Sequence, residues 1–174
     1  EKLGNKVKMP KNGILIIEGI HGLNPILTSS LDENNIFKIY ISALTQLNLD
    51  NHNRISTADV RRVRRIVRDS LSRGKNAEET LLMWPSIKKG EEKNIFPYQD
   101  TADVVFDTAM VYELSVLKTY AEPALFSVPE GTSEYLEAKR LLKCLDYVLG
   151  MPKDTIPHNS LVREFVGGSI FPVG

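Results

Sequence analysis

Apolar residues along the chain form short continuous runs that alternate with longer stretches of helical periodicity. The runs 14–17, 37–41 and 102–107 are rich in β-branched and aromatic residues, which is typical of strands in a parallel sheet. Helical patterns and cap signals predict the remaining elements, at about 25–31, 58–73, 77–84, 111–120, 132–149 and 159–166. Strands that alternate with helices predict an α/β layer fold, with a mostly parallel sheet flanked by helices.

Two long polar stretches separate these elements. Residues 42–57 include three Asn between positions 48 and 53 and predict a loop. Residues 85–101 contain two prolines and a run of charged side chains, and they predict a mobile or ligand-facing loop that begins where the preceding helix stops before Pro85. We expect both stretches to be the least ordered parts of the unliganded chain, because they would close on ligands.

Composition places the chain among ordinary globular proteins. It has 174 residues, of which 42% are hydrophobic and 25% charged, enough for one domain with a core. The formal net charge is zero, which argues against a generally basic nucleic-acid coat. The single Cys144 excludes an intramolecular disulfide and suits a reducing compartment. No apolar stretch approaches the roughly 20 residues of a membrane span, so we expect a cytoplasmic protein without a membrane partner.

The neutral total includes one strongly basic helix. Eight basic and two acidic residues lie between Arg54 and Lys75, a local charge of +6. Arg61, Arg65 and Arg68 share a helix face that differs from the apolar stripe, and they would repel one another unless an anion lay between them. The planar donor fork of arginine matches phosphate. Spacing alone does not separate a phosphate clamp from a solvated face with excess Arg.

Nucleic acid is a competing anion for this basic helix. Against it, we expect no nearby aromatic side chains on which bases could stack. We therefore do not expect nucleic acid as the main partner, and a homo-oligomer is compatible with the sequence.

Two further candidates follow the first predicted strand. Glu18 stands directly at its carboxyl end, where ligands of α/β sheets gather and where a carboxylate can hold Mg²⁺. By position alone, a Glu that caps a loop is the commoner arrangement. His21 lies on the same loop, and it could contact a substrate or serve as a hydrogen-bonded structural residue. The chain contains no Gly-x-x-x-x-Gly-Lys-Ser/Thr motif.

Taken together, these segments resemble the uridine kinase and phosphoribulokinase family of P-loop kinases. The resemblance rests on Ile14-Leu15-Ile16-Ile17-Glu18-Gly19-Ile20 and on Arg64-Arg65-Ile66-Val67-Arg68-Asp69 with Arg73-Gly74. The run 84–98 and the segment Tyr120-Ala121-Glu122-Pro123 are similar to a bacterial uridine kinase-like branch, in which the kinase part follows a region similar to threonyl-tRNA synthetase. Most of residues 13–174 is covered.

The resemblance implies a partial P-loop kinase fold over 1–174, with a helical lid at about 54–101 and a C-terminal helical segment at about 132–174. It implies ATP and Mg²⁺ as cofactors, and phosphoryl transfer to a hydroxyl of a nucleoside-like acceptor. Glu18 matches the family's Mg²⁺-binding Glu. Arg65, Arg68 and Arg73 match the lid arginines that close over the phosphates, and the substrate-binding candidates are His21, Arg61, Lys75 and Tyr98.

The chain departs from the family pattern at several points. The phosphate loop and the carboxylate base stand upstream of the matched region in the family, so we expect a chain that begins inside a longer protein and is catalytically incompetent alone. Lys75 and Met83 stand where uridine–cytidine kinases carry Arg and Gln, and His21 stands where those kinases are usually apolar. These differences leave the acceptor open. The alternative function is a non-catalytic module that binds RNA or another anion through the Arg-rich helix.

Overall fold

A two-stranded parallel sheet and six α-helices make up the described part of the chain. The computed structural model describes residues 8–172. Strands β1 (Ile39–Ser42) and β2 (Val104–Asp107) pair in parallel, with Ile39 opposite Val104. The helices are α1 (Pro25–Thr28), α2 (Thr57–Ser72), α3 (Ala77–Asn94), α4 (Glu113–Phe126), α5 (Tyr135–Leu145) and α6 (Arg163–Val166), and 3-10 helices span Glu33–Asn35, Phe96–Thr101 and Lys153–Thr155. The predicted α/β class is confirmed.

The core lies among the helices and not on the sheet. Helix α2 packs against α3, α4 and α6, and α4 packs against α5. The apolar stripe predicted for α2 comprises Val60, Val63, Val67 and Leu71. The three valines are buried almost completely and meet the buried face of α4, whereas Leu71 in the last turn is 52% exposed. Full burial of side chains of this size stabilises the fold by about 1.5–3 kcal/mol each. The predicted stripe therefore orients α2, and of the α2 arginines only Arg64 is buried.

Local signals define the two ends of α2. Ser56 precedes the helix in an extended conformation, and Arg73 caps its end with a backbone N–H bonded to the Asp69 carbonyl. Gly74 follows with a φ of 64°, a left-handed conformation that glycine adopts without steric strain. The predicted bounds of about 58–73 are therefore correct within a residue or two.

The predicted loop over residues 85–101 is wrong. Helix α3 continues through Pro85 to Asn94, and a 3-10 helix follows directly. Proline in a helix interior removes a hydrogen bond and clashes with the preceding turn, at a cost of about 3 kcal/mol. Tertiary contacts offset this cost, because Trp84 is buried and Glu91 pairs with Arg61 of α2. The ion pair holds the second half of α3 against α2.

The first predicted strand does not form within residues 8–172. Residues 14–17 pair with no strand there, and their side chains are between 58% and 89% exposed. A buried parallel strand needs neighbours along its edges and on both faces, and the described residues supply neither. The remaining helices occupy the predicted regions with shifted ends. No helix in this part of the chain has the length and apolar character needed to cross a membrane.

Candidate functional site

A cavity of about 240 Å³ lies between the end of the sheet and the helices α2 and α3. The C-terminal half of β1 and Thr108, just after β2, form one wall, at the edge where α/β sheets bind ligands. Helix α2 contributes four guanidinium groups to the lining, from Arg61, Arg64, Arg65 and Arg68. Helix α3 and the following turn add Trp84, Ile87, Glu91, Ile95 and Phe96, and α6 adds Phe165.

Several arginines of α2 are neutralised by carboxylates from other elements. Arg64 donates from Nε to Glu113 at the start of α4 over 2.6 Å and from Nη2 to the Thr108 carbonyl over 2.7 Å. The close pairs of this kind are Arg61–Glu91, Arg62–Glu137 and Arg64–Glu113. These guanidinium groups fasten α2 to α3, α5 and α4, so much of the local positive charge is compensated in the fold.

The other arginines of this region share one carboxylate. Asp69 Oδ2 lies 3.4 Å from Arg65 Nε, and Asp69 Oδ1 lies 4.0 Å from Arg68 Nε and 3.6 Å from Arg73 Nη1. We call these four residues the Asp69 cluster. With three positive charges and one negative charge, it keeps a local excess of +2. The exposed Glu164 carboxylate approaches Arg68 to 3.7 Å.

Crowding of positive charge affects Arg68 in particular. Burial lowers the pKa of Arg68, and repulsion from Arg73 and Arg65 lowers that pKa further, whereas Asp69 and Glu164 oppose the shift. A bound anion would offset the repulsion and the cost of desolvation of this guanidinium, because a nearby opposite charge favours the charged form. Among the arginines of α2 and its C-terminal cap, the three that the sequence assigns to phosphate are thus the ones whose charge is least compensated.

Aromatic side chains surround this charge, contrary to the expectation from sequence. Tyr40, Trp84, Phe96 and Phe165 all line the cavity with the arginines, and the Arg64 guanidinium lies 5.2 Å from the centre of the Phe165 ring. The expectation failed because the fold brings together residues from β1, α3 and α6 that are distant in sequence. The cavity can therefore offer ring faces as well as positive charge.

The family model described as the phosphoribulokinase / uridine kinase family matches residues 2–115. The chain belongs to this family. The matched range contains β1, α2, α3, β2 and the whole Asp69 cluster, and the α/β arrangement is consistent with a partial P-loop kinase fold. Searches of curated proteins and of solved structures found no significant match to the chain. Membership of the phosphoribulokinase/uridine kinase family gives the arginine-lined cavity its context, which is phosphoryl transfer.

The other substrate-binding candidates of this kinase-family chain lie outside the cavity lining. Lys75 is half-buried, and its Nζ lies 3.2 Å from the sulfur of Met83. The two positions that depart from the uridine–cytidine kinase pattern are thus in contact. Tyr98 is half-buried in the 3-10 helix that follows α3. The predicted lid over 54–101 includes α2, α3 and this 3-10 helix, and its closure on ligands stays a prediction.

Glu18 and His21 are exposed on the loop after residues 14–17, and neither lines the cavity. Within residues 8–172, no group of three or more His, Cys, Asp or Glu side chains is arranged to hold a metal. Magnesium keeps several waters and needs only one or two protein oxygens. The assignment of Glu18 to Mg²⁺ and of His21 to the substrate therefore stay predictions.

Sequence reasoning assigned no role to the carboxylates of the site. Asp69 stands four residues after Arg65 and four before Arg73, a spacing that places side chains on one helix face, so its role had a local signal. Glu91 and Glu113 lie 30 and 49 residues from their arginine partners. No pattern in the sequence links residues at such separations.

Proposed function

We propose that this chain takes part in ATP-dependent phosphoryl transfer to a hydroxyl of a nucleoside-like acceptor, with the Asp69 cluster binding phosphate. The observation that carries the proposal is the uneven compensation of charge along α2. Arg61 and Arg64 each have a buried carboxylate of their own, and Arg62 shares two carboxylates with Arg140. Arg65, Arg68 and Arg73 share the single buried carboxylate of Asp69, with only the exposed Glu164 near Arg68 besides. A phosphate would supply the missing negative charge.

The donor geometry supports a phosphate at this position. The Nε atoms of Arg65 and Arg68, like those of Arg62 and Arg163, are buried and have no hydrogen-bond partner among the described residues, and leaving a buried donor unpaired is costly. Phosphoryl transfer depends on positioned cations more than on covalent chemistry, so two such guanidinium groups suit it. A bound Mg²⁺ would neutralise phosphate oxygens, and Glu18 is the ligand that the family resemblance implies.

The aromatic side chains support a nucleoside as the acceptor. A base can stack on aromatic rings with a gain of about 1–3 kcal/mol, whereas a sugar alone offers no flat π-face. Tyr40 and Phe96 provide such rings beside the arginines, whereas the rings of Trp84 and Phe165 are already covered on one face by Arg62 and Arg64. At about 240 Å³, the cavity is somewhat smaller than the range of about 300–1,000 Å³ that is usual for small-molecule sites.

The same combination of arginines and aromatic rings also supports the rival function, which is binding of single-stranded RNA. The two functions differ in their salt dependence. RNA affinity should fall by about 10³-fold or more between 50 and 200 mM salt if six or more phosphates are contacted. Binding of one nucleotide should weaken far less. Titration of the chain with ATP plus Mg²⁺ and with an oligouridylate, at both salt concentrations, separates them.

Substitution of the arginines is the decisive test of the proposed function. We expect Arg65→Ala and Arg68→Ala each to weaken ATP binding by about tenfold or more, and to lower kcat of the full-length gene product by about 10²–10³-fold. Arg140→Ala is the matched control, because Arg140 pairs with Asp59 away from the cavity. Unchanged ATP binding and unchanged turnover in both cavity variants would refute the proposal.

A second test concerns the 174-residue chain alone. It contains no Gly-x-x-x-x-Gly-Lys-Ser/Thr segment to hold the nucleotide phosphates. We therefore expect it to bind anions without appreciable ATP-dependent turnover. Substantial phosphate transfer by the chain alone would contradict this part of the proposal and leave the role of the arginines intact.

A further inference from the structure

Asp69 occupies a fixed position at the junction of α2 and α3. Its side chain is almost completely buried, and its Oδ2 accepts a hydrogen bond from Thr80 Oγ1 of α3 over 3.3 Å. Its backbone carbonyl accepts from the N–H groups of Arg73 and Lys75 over 3.2 and 3.1 Å. The carboxylate therefore has little freedom to move, in contrast to the arginines around it.

The contacts between this carboxylate and the arginines are electrostatic and not directed hydrogen bonds. Their separations of 3.4, 3.6 and 4.0 Å exceed the range of about 2.7–3.2 Å for N–H···O bonds. Arg64 and Glu113 provide the contrast, with a directed bond of 2.6 Å. Asp69 Oδ1 itself has no hydrogen-bond partner among the described residues. The guanidinium groups of the cluster are thus attracted to Asp69, but they do not donate hydrogen bonds to its carboxylate.

We propose that Asp69 is a positioning residue of the phosphate site, which gathers three guanidinium groups around one buried charge and competes with the phosphate for them. This inference rests on the proposed function. Asp69 preorganises the arginines by offsetting their mutual repulsion. It also lowers the net charge of the four-residue cluster from +3 to +2, which limits ground-state affinity. Binding that is equally strong in the ground state and in the transition state does not raise kcat. A limit on ground-state affinity therefore does not reduce turnover.

The test compares phosphate binding by the wild-type chain and Asp69→Asn, with inorganic phosphate as the probe and ionic strength held constant with chloride. We expect Asp69→Asn to bind phosphate about tenfold more tightly, which is the effect of one pKa unit of electrostatic interaction. We also expect a lower melting temperature without phosphate. In the full-length gene product, kcat should fall while KM for ATP stays equal or decreases, because binding improves as alignment is lost.

Asp59→Asn is the matched control. Asp59 lies on the same helix, but it pairs with Arg62 and Arg140 and with none of the three arginines of the Asp69 cluster. We expect the phosphate affinity of Asp59→Asn to equal that of the wild type, even if the folding stability of the variant is lower. An equal gain in phosphate affinity in Asp69→Asn and Asp59→Asn would show that the effect depends only on the total charge of the chain. That result would overturn the inference.

A measurement on the wild-type chain covers the case in which Asp69→Asn fails to fold. In ¹⁵N-edited NMR spectra, the Nε–H signals of Arg65, Arg68 and Arg73 should shift on phosphate addition with one common dissociation constant. The signal of Arg140, whose Nε is bonded to Glu137, should stay fixed. Separate dissociation constants, or an absence of shifts in the three signals, would exclude a shared cluster.

The outcomes distinguish this inference from the proposed function. Wild-type phosphate binding that is lost in Arg65→Ala and Arg68→Ala but unchanged or weakened in Asp69→Asn would overturn the inference alone. Failure of the wild-type chain to bind phosphate would overturn both. Tighter binding by Asp69→Asn with lower kcat supports both.

Discussion

Arg64 of α2 and Glu113 of α4 form a hydrogen-bonded ion pair inside the core, with Arg64 Nε donating to Glu113 Oε2 over 2.6 Å. Only 1% of Glu113 is exposed. Burial raises the pKa of Glu113, and Arg64 offsets part of this shift. Because the pKa is higher in the folded than in the unfolded state, the native protein binds this proton more tightly. This carboxyl therefore contributes stability at low pH that is lost as pH rises from about 4.3 through its folded pKa.

Glu113→Gln removes this titration while keeping the shape of the side chain. We expect the unfolding free energy of the variant, relative to wild type, to increase as pH rises above about 4.3, by about 1.4 kcal/mol for each unit of pKa difference. Denaturant midpoints at pH 4, 6 and 8 measure the trend. Glu92→Gln, at an exposed position of α3, should show no such trend. A relative stability that fell with pH would mean that Arg64 outweighs burial.

Glu164→Gln should strengthen phosphate binding modestly. The Glu164 carboxylate lies 3.7 Å from Arg68 Nη1 but is 49% exposed, and exposed ion pairs contribute only about 0.2–1 kcal/mol. We expect a gain in phosphate affinity of roughly fivefold or less, which disappears at high salt. Glu134→Gln is the control, because Glu134 directly precedes α5 and does not line the cavity. A gain in phosphate affinity larger than that of Asp69→Asn would show that Glu164, and not Asp69, has the stronger effect on the site, and would contradict this prediction.

Phe96→Ala should separate base recognition from phosphate recognition. Phe96 lines the cavity and is 39% exposed, so its loss should perturb the core little. Loss of one stacking partner should weaken uridine binding by about 1–3 kcal/mol, and phosphate affinity should stay constant. Phe126→Ala, at the exposed end of α4, is the control. Equal effects on uridine and phosphate would show that Phe96 acts through the fold.

The contact between Lys75 and Met83 offers a test of acceptor choice. Lys75 Nζ lies 3.2 Å from the Met83 sulfur, and these are the positions at which uridine–cytidine kinases carry Arg and Gln. If the pair selects the acceptor, Lys75→Arg combined with Met83→Gln should raise kcat/KM for uridine by about tenfold in the full-length gene product, more than the single changes predict. Leu82→Gln, exposed beside Met83, is the control. Additive, small effects would show that the pair does not determine specificity.

Local signals were sufficient to predict α2 and its arginines. The stripe through Val60, Val63 and Val67 and the glycine after Arg73 act within one helix, so their consequences can be derived from spacing. The basic cluster could be predicted for the same reason. The role of Asp69 as their shared carboxylate could also have been predicted, because Asp69 is four residues from both Arg65 and Arg73.

Contacts between distant segments account for what the sequence pattern missed. Pro85 signals a helix end, but the pairing of Glu91 with Arg61 and the burial of Trp84 extend α3 beyond it. The aromatic ring of Phe165 reaches the arginines because α6 packs on α2. The apolar run 14–17 predicted a strand that requires neighbours, and strand formation depends on those neighbours as much as on the run itself.

The exposed apolar run 14–17 has a consequence for the colloidal behaviour of the chain. Along with β1 and β2, it presents β-branched side chains and unpaired strand edges to solvent within the described residues, and such edges template pairing between molecules. A net charge of zero at pH 7 provides no long-range repulsion to oppose this. The increase of light scattering with protein concentration should therefore be steepest near pH 7 and smaller at lower and higher pH. Association between molecules in concentrated samples should therefore involve these exposed segments.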